Sequence, residues 1–202
     1  PGGIGNIPLR TAVANSCNTA FISERGKVSQ ADVAEAAASL GLGVDHDIGF
    51  PAYFGAVPRS ATGTEHAASM IGQGQVLASP MAMATVAASV AKGATVVPRL
   101  LDGTASVKAS PTTPLTATEA GQLRGLMRAV VTDGSGTALL SVPGAPVLAK
   151  TGTAEFGSKS PPRTHAWMIA VHGDLAVAVF VDVGASGSGT AGPILNGFLR
   201  GG

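Results

Sequence analysis

The chain of 202 residues carries a single cysteine, Cys17. That excludes an internal disulfide and a cysteine-built zinc site. Aromatic residues make up only 4% of the chain, so little stacking surface for bases or sugars is on offer. Charged residues are sparse at 12%, and 13 Lys+Arg against 12 Asp+Glu give a formal net charge of +1. Without a basic stripe, a nucleic-acid partner held by phosphate contacts is not expected. No apolar run approaches the roughly 18–20 residues of a membrane span. No leader-like segment opens the chain. What is abundant is small and apolar. Hydrophobic residues reach 45%, glycine contributes 28 residues, and mean hydropathy is +0.33. A disordered chain would be poorer in apolar residues and richer in charge. The length fits one large domain or two small ones and suffices for a real core.

The opening Pro1-Gly2-Gly3-Ile4-Gly5-Asn6 reads as a loop inside a domain. A helix is expected after Asn18, ending near Gly26. Ser29 caps a second one, with Asp32 three residues on, an apolar stripe of Val33, Ala36, Ala37 and Leu40, and Gly41 and Gly43 at its end. Residues 44–78 read as a long irregular connection of the kind that shapes clefts. Ser79-Pro80 opens a helix that Gly93 closes. Val96-Val97-Pro98 suggests a short edge strand. Thr116 or Thr118 caps a long helix from about Glu119 to Val131. Val147–Thr153 is strand-like, and apolar runs 166–171 and 175–183 flank a His172-Gly173-Asp174 turn. The second run does not alternate, which predicts cover on both faces. Pro193–Leu199 closes the chain as a helix. Helices, then an antiparallel sheet, then a helix make the expected class α+β, with helices flanking the sheet.

Two short elements carry chemistry. On a strand, Thr151 and Thr153 of Lys150-Thr151-Gly152-Thr153 share one face. Two hydroxyls near an ammonium suit a carboxylate, and Gly152 lets a ligand backbone approach. An ordinary strand with an exposed lysine reads the same. Ser16-Cys17-Asn18 precedes a helix, where a turn could aim Ser16 and Asn18 into a cleft or where either could simply cap the helix. Cys17 has no histidine spaced as a partner. Asp45-His46-Asp47 reads as a solvated turn more readily than as a metal site. Gly72-Gln73-Gly74 and Gly134-Ser135-Gly136 lack the lysine of phosphate loops. Glu155 reads as a sheet-edge charge.

Taken together and in order, Ser16-Cys17-Asn18 and Lys150-Thr151-Gly152-Thr153 resemble two of the three active-site motifs of penicillin-binding proteins and serine β-lactamases. Asn15 to Phe21, Ile71-Gly72-Gln73-Gly74 followed by Ser79-Pro80, Gly136-Thr137-Ala138 and His165-Ala166-Trp167 resemble the class B penicillin-binding proteins. The resemblance runs from about Asn6 to Leu199. It implies the antiparallel sheet flanked by helices of the penicillin-binding transpeptidase fold. It also implies a D,D-transpeptidase that cross-links peptidoglycan stem peptides through a serine acyl-enzyme and is acylated by β-lactams. By resemblance Ser16 relays a proton with Lys150 beside it, and Asn18 holds the substrate amide. Thr151 and Thr153 bind the terminal carboxylate, Gly152 lies against the substrate, and the Thr153 N–H forms half of the oxyanion hole. No cofactor and no metal are implied.

The nucleophile motif Ser-x-x-Lys is expected before Ser16, and nothing there matches. The one occurrence, Ser89-Val90-Ala91-Lys92, lies at a helix C-terminus, where partial negative charge disfavours an alkoxide. Residues 1–202 are therefore expected to be the C-terminal portion of a single transpeptidase domain, with the nucleophile in a preceding segment. Such a protein would be anchored at the extracytoplasmic face of the bacterial plasma membrane. Its partners would be stem peptides, β-lactams and divisome or elongasome membrane proteins. A serine β-lactamase or a β-lactam sensor domain that does not turn over would share the motifs.

Overall fold

The computed structural model describes residues 5–101, 107–108 and 113–201. Its centre is an antiparallel sheet of three strands, β3 (Leu148–Phe156), β4 (Arg163–His172) and β5 (Leu175–Val181), in that spatial order. Two two-residue strands, β1 (His46–Asp47) and β2 (Val107–Lys108), pair separately. Around them lie α1 (Leu9–Ala14), α2 (Asn18–Ser23), α3 (Gln30–Ser39), α4 (Gly63–Ser69), α5 (Pro80–Lys92), α6 (Ala117–Asp133) and α7 (Gly192–Gly201).

The helix boundaries follow local chemistry. Ser29 and Asp32 form a reciprocal capping box at α3, and Thr116 with Glu119 forms another at α6. Each Ser/Thr cap contributes about 1 kcal/mol. The same hydrogen bonds hold the Asp32 and Glu119 carboxyls below their ordinary range. Ser79 accepts the Ala82 N–H at the start of α5, and Gly93 ends that helix in the left-handed conformation.

The sheet alternates cleanly. One face presents Ala149, Ala166, Met168 and Ala170 to Leu195 and Leu199 of α7 and Val131 of α6. The other presents Ile169 and Val171 to Ala87 and Val90 of α5 and Met127 of α6. Helix α6 thus closes both layers along the β3 side. Burying each such Leu, Ile, Val or Met contributes about 1.5–3 kcal/mol. Among the described residues, no helix is long and apolar enough to cross a membrane.

Three expectations need correction. Val96-Val97-Pro98 forms no strand, because the Val96 N–H donates to Ser89 Oγ at 2.9 Å and no strand among the described residues pairs with it. The long connection contains α4, which is only seven residues and lacks a side-chain cap that would mark it. Strand β5 ends at Val181 and is half-buried rather than enclosed, since it forms an outer strand of this sheet.

Candidate active site

The site forms where α1 ends. Its last turn closes through the Cys17 N–H on Ala12 C=O (2.9 Å) and the Ser16 N–H on Val13 C=O (3.2 Å). Ser16 sits there with φ +53°, the one positive φ among the described non-glycine residues. A left-handed serine costs on the order of 1 kcal/mol or more, a strain that tends to persist where function needs it. The strain aims the side chain at β3, and Lys150 Nζ donates to Ser16 Oγ at 2.8 Å across 134 residues of sequence. Lys150 Nζ also donates to the Thr151 carbonyl at 2.8 Å. Burial without a carboxylate partner lowers the Lys150 pKa from 10.5 to about 8. An ammonium this close to neutrality is both a hydrogen-bond donor and a ready proton source.

The Gly134-Ser135-Gly136 turn braces the contact. The Ser135 N–H donates to Ala14 C=O at 3.1 Å. Ser135 Oγ lies 2.7 Å from Thr151 Oγ1. Gly134 is pressed on α1 so closely that a Cβ there would stand 2.0 Å from the Ala14 oxygen. Ser135 is the site residue that sequence reading set aside. The signal was its glycine flanks, which mark close backbone approach as well as phosphate loops.

Thr151 is buried, with its hydroxyl engaged by Ser135. Thr153 shares its face, as alternation predicts, but is exposed. Its Oγ1 accepts the Gly187 N–H at 3.1 Å, so its own O–H proton remains available to a ligand. Gly187, in the π-helical turn Gly187–Ala191, packs onto the strand with its virtual Cβ 2.8 Å from Gly152 N. Gly152 itself faces Trp167, whose Cβ would be 3.2 Å from an added Cβ. Lys150 belongs to the opposite face of β3 from the two threonines. They converge because β3 is an outer strand and side chains of both faces curl around its free edge.

That free edge has a definite direction. In an antiparallel ladder, a residue's N–H and C=O point the same way, and residues two apart agree. The Thr151 C=O receives Lys150 Nζ, and the Glu155 N–H points to Gln73 Oε1 at 3.4 Å. Both therefore face away from β4. Thr153, between them, directs its N–H and C=O outward too. This is the geometry an oxyanion donor requires.

Asn18 is the first residue of α2, exposed, and its side chain makes no hydrogen bond to the described residues. Neither it nor Ser16 caps that helix; the capping position is Cys17, which makes no side-chain cap. The free Cys17 is half-buried. Ser89 is fully buried, its hydroxyl directed at the Thr85 and Leu40 carbonyls (2.9 and 3.1 Å). It serves as a structural tie between α5 and α3. His46 is buried against Phe54, and the described residues contain no cluster of metal-ligating side chains. Beside Lys150 and Gly152 opens a cavity of about 360 Å³ walled by Met83, Trp167, Ile169 and Phe180.

Residues 2–200 match the penicillin binding protein transpeptidase domain. Penicillin-binding protein A from Mycobacterium tuberculosis superposes with a TM-score of 0.81 at 27% identity, covering 98% of this chain and 51% of that one. Its ceftriaxone acyl-enzyme complex gives a TM-score of 0.82, also at 27% identity, over 96% of this chain and 48% of that one. The D,D-transpeptidase domain of a peptidoglycan glycosyltransferase from Eggerthella lenta gives 0.78 at 25% identity, over 98% and 54%. A chain from a peptidoglycan synthase complex gives 0.78 at 25% identity, over 98% and 38%. The chain thus spans about half the length of these proteins or less. No curated protein sequence matches it. With the match extending over nearly every residue, and with the sheet and helices superposing on solved members, the chain belongs to the penicillin-binding protein transpeptidase domain family, as its resemblance to the class B members implies.

Proposed function

We propose that the protein is a peptidoglycan D,D-transpeptidase whose catalytic serine and its lysine lie in a segment outside this chain, residues 1–202 being the C-terminal part of the domain. The observation that carries the reading is the Lys150 Nζ to Ser16 Oγ contact at 2.8 Å beside the outward-facing Thr153. The serine gives its proton to the lysine of its own motif and attacks the carbonyl of the penultimate D-Ala. Negative charge develops on that oxygen, and the Thr153 N–H stabilises it; a single such donor is commonly worth about 10²–10³ in rate. The C–N bond then breaks, and the leaving amine takes a proton from Ser16, which is resupplied from Lys150. D-Ala departs and an acyl-enzyme remains. The amine of a second stem peptide attacks that ester and returns a proton through Ser16 to Lys150, the serine leaves with the proton held by its own lysine, and a cross-link forms. Asn18 holds the substrate amide. The Thr153 O–H and the Lys150 charge read the terminal carboxylate, with Thr151 and Ser135 supporting that edge. β-Lactams enter as analogues of the dipeptide and stop at the ester. No cofactor takes part.

Residence at the extracytoplasmic face of the membrane, held by a segment outside this chain, follows from the substrate. The similarity to a chain of a peptidoglycan synthase complex supports partners among divisome or elongasome membrane proteins.

Intact-mass analysis with a labelled penicillin tests the assignment. The full-length protein gains one adduct per molecule. The 202-residue chain gains none, Ser89 included, because that hydroxyl is buried and committed. An adduct on the 202-residue chain, or none on the full-length protein, overturns the reading.

A further inference from the structure

The free edge of β3 is covered on both sides of Thr153. Upstream, the Thr151 carbonyl is taken by Lys150 Nζ at 2.8 Å. Downstream, the Glu155 N–H meets Gln73 Oε1 at 3.4 Å. Gln73 is set there by its own loop. Its N–H donates to Ala68 C=O at 2.9 Å, and the flanking Gly72 and Gly74 adopt φ +71° and +70°, which only glycine takes without strain. Gly74 is also crowded, since a Cβ there would meet Ala68 Cβ at 3.1 Å. A strand edge otherwise offers a continuous row of donors and acceptors to an added strand. Here the row is interrupted on both sides of Thr153: one acceptor upstream and one donor downstream are already taken, and Thr153 keeps both its N–H and its C=O.

We infer that Gln73 is a specificity-determining residue that stands in for a substrate carbonyl and withholds the Glu155 N–H from peptide residues upstream of the one opposite Thr153. This rests on the transpeptidase reading above and deepens it. In an antiparallel register, the residue paired with Thr153 is the one whose carbonyl is attacked. The residue after it ends in the carboxylate near Lys150. The residue two positions before it would pair with Glu155, and the Gln73 carboxamide already holds that place. The enzyme therefore reads the C-terminal dipeptide through its backbone, and a longer stem peptide gains no bond from the Glu155 N–H.

Two measurements on the full-length protein decide this. Amide hydrogen exchange reads the edge directly, whatever the reaction. In the wild type the Glu155 amide is protected relative to the Thr153 amide. In Gln73→Ala, and in Gln73→Met, which keeps the side-chain length without the acceptor, that protection disappears. Acylation reads the consequence. The kcat/KM for a depsipeptide carrying two residues before the D-Ala-D-lactate end is divided by that for one carrying only an acyl cap. Removing Gln73 frees the Glu155 N–H for the longer peptide, so the ratio rises about two- to ten-fold, the range of one neutral hydrogen bond. A Glu155 amide that exchanges as fast as Thr153 in the wild type overturns the inference, as does a ratio that stays constant or falls in both variants. If the wild type takes no penicillin, the transpeptidase reading has failed instead, and the exchange arm still decides whether Gln73 closes the edge.

Discussion

Replacing Lys150 with Met keeps an unbranched apolar stem of four heavy atoms and removes the buried ammonium at its end. In the folded protein burial lowers the Lys150 pKa from 10.5 to about 8. The unfolded chain returns it to the ordinary value. Below pH 8 both states are protonated, and the folded state bears the full cost of a buried charge. Between pH 8 and 10.5 the unfolded state binds more protons than the folded one, so stability rises with pH. The drop from 10.5 to about 8, at about 1.36 kcal/mol per pH decade, makes the rise on the order of 3 kcal/mol. Lys150→Met lacks it. The variant's stability relative to wild type should therefore fall by that amount between pH 7 and 10.5. Its absolute difference at pH 7 is a near-balance. The relieved desolvation offsets the lost hydrogen bonds to Ser16 Oγ and Thr151 C=O, roughly 1.5–3 kcal/mol each when charge-assisted. Urea unfolding of both proteins at pH 7, 8, 9 and 10 gives the comparison, and taking the difference cancels the other titrating groups. A stability difference that does not change with pH refutes the buried, depressed lysine, and with it the proton source assigned to Ser16.

Two further substitutions examine how the site is braced. Gly134→Ala places a Cβ 2.0 Å from the Ala14 oxygen, so α1 or the turn must move. The expected loss is about 2 kcal/mol or more, and penicillin acylation of the full-length protein should fall with it; wild-type stability in a denaturation curve would show that the close approach is unimportant. Ser135→Ala leaves the buried Thr151 hydroxyl without its 2.7 Å partner. In the full-length protein a drop in the second-order acylation rate of about five-fold, near 1 kcal/mol, is expected, and an unchanged rate removes Ser135 from the site.

Where the sequence carried a local signal, it was sufficient. The Ser29/Asp32 box, Ser79-Pro80 and Gly93 mark real helix ends, because a cap is decided by residues three or four apart. The His172-Gly173-Asp174 hairpin and the alternation of β3 were legible for the same reason. The order of the Ser16-Cys17-Asn18 and Lys150-Thr151-Gly152-Thr153 motifs was enough to suggest the family. Where propensity was weak, the reading failed. Helices α1 and α4 have six and seven residues and no side-chain cap, so packing rather than local chemistry makes them. Val96-Val97-Pro98 has strand-like composition, but a β-branched pair needs a partner strand, and the Val96 N–H was given to Ser89.

The sequence by itself determined which residue types were available and which face of β3 each would take, since strand alternation is a property of the backbone. Only the tertiary structure decided what those residues do. It set Ser16 against Lys150 across 134 positions and withdrew enough water from Lys150 to bring its pKa to about 8. It also recruited Ser135 and Gln73 from loops whose sequences named no partner. A hydrogen bond between distant segments, and the dielectric around a buried charge, are set by how the layers pack. No window of neighbouring residues contains either.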